Sequence, residues 1–382
     1  MDIAERPRVA FLAGTLGQGG AEKQLVYMAL ALHRAGVPVR VLCLGSGEYH
    51  EASLTAQGIA PVPVGRRGSP ATRLVAIASA LRRWRPDVVQ SAHFYTNLYA
   101  ALGARACGAR SLGAVRNTVA SEAAGSGGWG PALLRCGTAL VVNSEAARAE
   151  AVRLGRRSET VRLLTNVIDL EAFDRAAGGA RRHVSPAGEL RVAIVGTVGR
   201  GKRMDRFVAA VAGARAQGAA VRGVVVGDGP ELAALRTAAA ALPDGAIEFL
   251  GRRDDVPAIL RGVDALALTS SWEGFPNVLL EGMAGGLPVV TSDVGDAGRV
   301  VEHGVTGYVT PVGDVDAMAR SMVRLAGDPA LRLELGCRGR ARVERLYAVD
   351  GLADRLLALY AAIGARAHPA AAEGERRAGP RT

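Results

Sequence analysis

At 382 residues and 49% apolar content, the chain is too long for one ordinary domain and can fill two cores. Its net charge of +11 comes without a basic helix, an aromatic-interleaved strand or a zinc finger, which sets nucleic acid aside. Apolar runs stay below the roughly 20 residues of a membrane span, and the acidic residues 1–7 make no signal peptide.

Cys43, Cys107, Cys136 and Cys337 are scattered without metal-ligand spacing, so a reduced, cytoplasmic protein with no structural metal is expected. In chain order, residues 8–13 read as a strand, followed by a glycine-rich turn through Gly19 and Gly20, a helix over about 21–35 and a strand over 37–44. This start announces a doubly wound α/β domain. The glycines are not spaced as G-x-G-x-x-G, so a dinucleotide is not favoured, yet Gly19-Gly20 lets backbone approach a phosphate or sugar. Helix and strand patterns alternate through 70–84, 87–92, 95–107, 110–115 and 139–143, with a loose Gly/Ser stretch at 123–130 expected as a flexible loop or lid. His93 stands where its strand ends, at the functional rim of a parallel sheet, although a structural histidine is an equal reading. A strand at 160–165 closes the first half, and the polar, glycine-bearing segment 176–189 is the best domain boundary.

A second strand at 190–196 leads into Thr197-Val198-Gly199-Arg200-Gly201-Lys202-Arg203 and a helix to about 217. A glycine-spaced loop with three cations beside a helix start suits a diphosphate. Lys202 is one of only two lysines, with Lys23, against 45 arginines. Further on, Gly227-Asp228-Gly229-Pro230 opens a helix, 246–251 is a strand, and the apolar run 264–270 leads to Trp272-Glu273-Gly274-Phe275-Pro276-Asn277. Pro276 suits the first turn of a helix running to about 285. Glu273 then lies in a strand-end loop and Glu281 roughly 7 Å further along the helix, with free helix amides between them for a phosphate. Two solvated glutamates on an amphipathic helix is the competing reading. A strand at 287–292 and final helices over 315–346 and 351–363 follow, and the tail from 365 to 382 is expected to be disordered.

Taken together, the motifs resemble the retaining glycosyltransferases of family 4 (glycosyl transferases group 1). The matching residues are the Lys202 loop; Val226-Gly227-Asp228-Gly229-Pro230; Ile247 to Gly251 with Arg253-Asp254-Asp255-Val256; the Glu273-x7-Glu281 pair; and Gly286 to Gly295. The first half adds Gly19-Gly20-Ala21-Glu22, His93, Val142-Asn143-Ser144-Glu145 and Asn166 to Phe173.

The resemblance implies an α/β GT-B fold, two doubly wound Rossmann-like domains facing a central cleft. It implies an acceptor-binding domain at 1–175, with the helix at about 348–364 packing back on it, and a donor domain at 186–347. It further implies transfer from a nucleotide-diphosphate sugar to a carbohydrate, glycolipid or lipid-linked acceptor, in envelope polysaccharide, glycolipid or related glycoconjugate synthesis. Retention, no metal and no cofactor are part of that expectation. Carried over by position, Glu273, His93 and Lys202 are the catalytic candidates. Lys202 with Arg200 or Arg203 would bind the diphosphate, Glu281 the ribose hydroxyls and Glu273 the sugar hydroxyls. Amides of Gly274, Phe275, Pro276 and Asn277 would meet sugar and phosphate, where Pro276 has no amide hydrogen to give. Backbone around Leu250 and Arg252 would hold the base, Gly227 would line the donor site, and Gly19, Gly20 and His93 would reach it from the first domain.

The chain departs from the family at Thr197, where an arginine is usual, at Val167 and at Asp296, where glycines are usual. Two other readings use the same architecture: a nucleotide-sugar epimerase, and a non-catalytic partner subunit of a glycosyltransferase. The charge bears on the acceptor. Residues 1–170 hold 20 basic and 11 acidic side chains, whereas 171–365 hold 23 of each. Peripheral contact with an anionic membrane fits that half better than nucleic acid does, and an arginine-biased composition explains it equally well.

Overall fold

The computed structural model describes residues 6–65, 68–178, 185, 187 and 189–365. The tail expected beyond 365 lies outside the described residues, as does much of the expected 176–189 boundary.

Short apolar runs become two parallel sheets. The first contains β1 (Val9–Ala13), β2 (Val39–Cys43), β3 (Val62–Pro63), β4 (Val88–Ser91), β5 (Arg110–Val115), β6 (Ala139–Val142) and β7 (Val161–Leu163), in the order β3-β2-β1-β4-β5-β6-β7. The second contains β8 (Glu189–Val195), β9 (Ala220–Val226), β10 (Ile247–Gly251), β11 (Ala265–Leu268), β12 (Val289–Ser292) and β13 (Gly307–Thr310), in the order β10-β9-β8-β11-β12-β13. Helices connect successive strands, as parallel pairing requires. Both chain orders reverse once, between β1 and β4 and between β8 and β11. Such a switch point opens a crevice at the carboxyl ends of the strands.

The inner strands β11 and β12 of the second sheet are buried on both faces, and β8 nearly so, which is why they read as continuous rather than alternating apolar residues. Ala193, Leu266 and Leu268 pack with Leu279 and Met283 on one face. Val192, Ile194, Ala265 and Ala267 pack with Phe207 and Met318 on the other. Each large side chain so buried contributes about 1.5–3 kcal/mol.

Contacts divide the chain into two compact units. Among the described residues, one holds those up to Ala114, Cys136–Ala139 and those from Leu352 to Ala365; the other holds Val115–Arg135 and those between Leu140 and Gly351. This departs from the 1–175 and 186–347 division, because residues 140–178 are tied to later parts of the chain. The Asp296 carboxylate accepts from the amides of Glu145 and Ala146 at 2.9 and 3.2 Å. Asn166 Nδ2 donates to the Phe275 carbonyl at 3.0 Å, and the Ile168 amide donates to Tyr347 O at 2.8 Å. Within the first unit, the helix Leu352–Ala362 packs on the helix Gly20–Arg34, and the Tyr360 hydroxyl donates to Gln90 Oε1 at 2.7 Å.

Two local expectations change. The stretch 123–130 is not a loop: it belongs to the helix Val119–Gly125, a turn of 3-10 helix at Gly127–Trp129 and the helix Gly130–Arg135. Thr118 caps the first of these through Oγ1, which accepts from the Ser121 amide at 3.2 Å, and Glu122 takes the Arg116 and Asn117 amides at 2.6 and 2.7 Å. The expected helix 315–346 is two helices, Val315–Gly327 and Pro329–Tyr347. Pro329 cannot continue the first and pushes Asp328 to extended backbone, and the Asp328 carboxylate then caps the second through the Leu331 amide at 2.8 Å. The helix Glu51–Ala56 and the two-residue β3 were missed, being too short to show a period.

Candidate functional site

In the second unit, the loops after β8 and β11 leave the sheet at its switch point and are sewn together. The Ser271 amide donates to Gly201 O at 2.8 Å, and the Thr269 hydroxyl lies 2.9 and 2.8 Å from the carbonyls of Lys202 and Arg203. This places Lys202 Nζ 2.6 Å from Glu273 Oε1, which also accepts from Ser270 Oγ at 2.7 Å. The Glu273 side chain is 11% exposed and that of Lys202 32%. Among the described residues, Glu273 Oε2 has no hydrogen-bond partner.

The three cations of the loop do not act alike. Arg203 is held by both carboxylate oxygens of Asp205, with contacts of 2.7–3.2 Å, so its charge is spent on the first turn of its own helix. Arg200 is almost wholly exposed, 3.7 Å from Glu231. Only Lys202 is brought to Glu273.

Glycines let these loops approach. Gly227 has φ +144, and a Cβ there would lie 1.8 Å from Gly196 O, so neither its conformation nor its surroundings admit a side chain. Gly227→Ala is expected to cost about 2–4 kcal/mol; an unchanged thermal melt would overturn this account. At Gly274 a Cβ would lie 2.8 Å from both Arg116 O and Asn143 Oδ1. The Glu273 loop is thus pressed against the ends of β5 and β6.

Pro276 is the N-cap of the helix Asn277–Ala284 rather than its first residue, at φ −76 and ψ 110. Phe275 turns inward, 4% exposed, and meets Tyr347 edge-on at 5.5 Å. Its side chain is core, so only its backbone remains for a ligand. Asn277 Oδ1 accepts from Asn166 Nδ2 at 2.8 Å. Glu281 is half-buried on the same helix, Leu250 packs on the core, and Arg252 is exposed. A cavity of about 480 Å³ opens beside Glu273, lined also by Thr118, Ser144, Glu150, Trp272 and Gly295.

In the first unit, the loops after β1 and β4 meet in the same manner. The Gly14 amide donates to His93 Nδ1 at 3.2 Å, and His93 Nε2 lies 3.1 Å from Glu22 Oε1. Tyr95 stacks on the imidazole at 5.2 Å. Burial by itself would raise the Glu22 carboxyl, but its hydrogen bond to His93 and the electrostatic attraction of that imidazole outweigh it and hold the carboxyl below its usual range. Burial, then the neighbouring Glu22, pushes the Tyr95 hydroxyl up to about 12. Gly19 is the N-cap, and Gly20 the first residue, of the helix Gly20–Arg34.

Sequence reasoning picked out Asn143, Asn166 and Asp296 as motif positions but missed their side-chain partners, and it missed Ser270, whose local signal is its place three residues before Glu273.

Two family profiles match the chain: "Glycosyltransferase Family 4" over residues 18–172 and "Glycosyl transferases group 1" over residues 189–328. The chain belongs to glycosyltransferase family 4. N-acetyl-alpha-D-glucosaminyl L-malate synthase of Bacillus anthracis is 33% identical over 138 residues, 36% of each chain. UDP-Gal:alpha-D-GlcNAc-diphosphoundecaprenol alpha-1,3-galactosyltransferase of Escherichia coli is 33% identical over 93 residues, 24% of each. The matches thus span well under two thirds of these relatives. Anabaena HepE, solved with UDP and glucose, superposes with a TM-score of 0.80 at 19% identity, covering 93% of this chain and 100% of HepE. That likeness establishes the GT-B type of fold, two parallel sheets with interleaved helices.

Proposed function

We propose that this family 4 chain moves a sugar from a nucleoside-diphosphate sugar to an acceptor hydroxyl, with retention and without a metal. The observation that carries the reading is the Lys202–Glu273 pair, 2.6 Å apart at the switch point of the second sheet. A leaving diphosphate needs positive charge. Lys202 offers it, Arg200 adds to it from the same loop, and the amide end of the helix Asn277–Ala284 favours the same anion. Glu273 takes sugar hydroxyls through Oε2, and Glu281 accepts hydrogens from the ribose hydroxyls. Backbone at Gly227, Leu250 and Arg252 takes the nucleoside.

In the transfer, the bond from the anomeric carbon to the diphosphate oxygen breaks and the bond to the acceptor oxygen forms on the same face. The acceptor proton passes to the departing diphosphate oxygen. Glu273, engaged by Lys202 and Ser270, serves as a hydroxyl ligand and charge neighbour rather than as a nucleophile.

For the acceptor we propose a saccharide or lipid-linked saccharide of envelope polysaccharide or glycolipid synthesis, met at the cytoplasmic face of an anionic membrane. The basic excess in residues 1–170 and the diphosphoundecaprenol named for the Escherichia coli relative support this. No helix among the described residues is long and apolar enough to cross a membrane.

Thermal-shift titration with UDP-, GDP- and ADP-sugars should reveal one stabilising donor class. Glu281→Ala should then weaken binding of the matching nucleoside diphosphate by about 1.5–3 kcal/mol, the range for hydrogen bonds to a charged group. If no nucleoside diphosphate binds, or the variant binds like wild type, the assignment fails.

A further inference from the structure

Gly274, the residue after Glu273, is enclosed on two sides. On one side stand the ends of β5 and β6, where Asn143 Nδ2 donates to Arg116 O at 2.9 Å and a Cβ on Gly274 would clash with both residues. On the other stands the loop after β12, where the Asp296 amide donates to Gly274 O at 3.1 Å. Gly295, at φ +54, lies so close that a Cβ there would run into the carbonyl oxygens of Glu273 and Gly274. The Asp296 side chain joins the two sides. It is 3% exposed, and its carboxylate accepts from the amides of Glu145 and Ala146 at 2.9 and 3.2 Å. Those are the first two amides of the helix Glu145–Arg153, for which a helix has no internal partner. Glu145 follows Asn143 by two residues, so a ring from Gly274 through Asn143, Glu145 and Asp296 back to Gly274 closes around the Glu273 loop. Asp296 is also a position at which the sequence departs from the family pattern, and the glycine usual there has no carboxylate with which to close the ring.

We propose that Asp296 is a positioning residue for Glu273: its carboxylate locks the loop after β12 to the start of the helix Glu145–Arg153 and so holds the Glu273–Gly274 backbone where Glu273 meets Lys202. This rests on the glycosyltransferase reading and adds to it a residue that acts through its neighbours. The same lock fixes one wall of the cavity beside Glu273, because Ser144, Ala146 and Gly295 all line it. The bond from the Asp296 amide to Gly274 O belongs to the backbone and survives substitution, so variants act on the carboxylate alone. Asp296→Asn keeps an oxygen that accepts from one of the two helix amides, whereas Asp296→Ala keeps none.

Amide hydrogen exchange of the ¹⁵N-labelled full chain, followed by NMR, reads the lock directly. In wild type the Glu145 and Ala146 amides should be protected, like that of Ala147, which donates to Ser144 Oγ at 3.1 Å. Asp296→Ala should lose protection at Glu145 and Ala146 and keep it at Ala147. With the donor found by thermal shift, kcat per nucleoside-diphosphate-binding site should fall by about 10–10²-fold in Asp296→Ala, the upper figure being the cost of a misplacement of about 1 Å. Asp296→Asn should lose less, and nucleoside diphosphate affinity should stay unchanged in both. Counting sites by diphosphate binding removes any unfolded fraction, so a residue that merely stabilised the fold would leave this kcat unmoved. Unprotected Glu145 and Ala146 amides in wild type, a measurement that needs no variant to fold, overturn the proposal. So does an Asp296→Ala variant that keeps the protection or the wild-type kcat, and so does a joint loss of diphosphate affinity, which would place Asp296 in ground-state binding. A wild type that shows the protection but transfers no sugar would sink the glycosyltransferase reading and leave the lock standing.

Discussion

Replacing Glu273 with Gln is expected to lower kcat/KM by about 10²–10³, or roughly 2.7–4 kcal/mol of transition-state stabilisation. Glutamine fits the space and keeps an oxygen for the Ser270 hydroxyl and the Lys202 ammonium, which now share Oε1 at 2.7 and 2.6 Å. Two things change. The other oxygen becomes an NH₂ donor where a sugar hydroxyl needs an acceptor. The negative charge that would offset a developing oxocarbenium ion also disappears. Because Lys202 then loses its neutralising partner, affinity for the nucleoside diphosphate should hold or rise while turnover falls. Transfer kinetics and calorimetric titration of the same preparation check both halves. A variant turning over within about threefold of wild type would remove Glu273 from the reaction, and a joint loss of diphosphate binding would place it in ground-state affinity instead.

The largest stability effect is expected far from this chemistry, at Asp264. Its carboxylate is fully buried and accepts from the Ser185 amide at 2.8 Å, the Ser185 hydroxyl at 2.6 Å and the Arg191 amide at 2.8 Å. It also faces Arg332 Nε at 3.9 Å, and Arg332 is fully buried as well. The Arg332 guanidinium spends other donors on the carbonyls of Leu325, at 2.7 Å, and Glu189, at 3.2 Å. Asp264→Ala removes the carboxylate facing a buried cation and strands two amide donors and a hydroxyl. Breaking such a pair from one side costs about 3–5 kcal/mol. Urea unfolding followed by circular dichroism should show a clearly lower midpoint, with Asp264→Ala/Arg332→Met recovering part of it because no buried cation is then left. A single variant that unfolds at the wild-type midpoint would show that this pair is not holding the second sheet to the helix Pro329–Tyr347.

Much of the fold was legible because it is written locally. Strands β1, β6 and β11 announce themselves as apolar runs, and glycines mark the turns at Gly196, Gly227 and Gly295. Helix ends read less well, as Asp328-Pro329 shows: the stop signal was present, but the apolar period on either side of it outweighed one proline in the reading. The stretch 123–130 misled for the opposite reason, since its Gly/Ser composition says loop while the Thr118 cap and the Glu122 carboxylate make it helix.

The candidate site divides along the same line. Sequence alone determined that Lys202, Glu273 and Glu281 sit at strand ends and a helix start, because spacing, apolar period and proline placement are properties of consecutive residues. Only the tertiary structure decided that Lys202 and not Arg203 meets Glu273, that both nitrogens of His93 are consumed by Gly14 and Glu22, and that Asp264 answers Arg332. In each of these, the partner of a buried charge is chosen by which crossover brings two strand ends or a helix face together. That choice is made by the packing of the sheets, and residue spacing along the chain carries no trace of it.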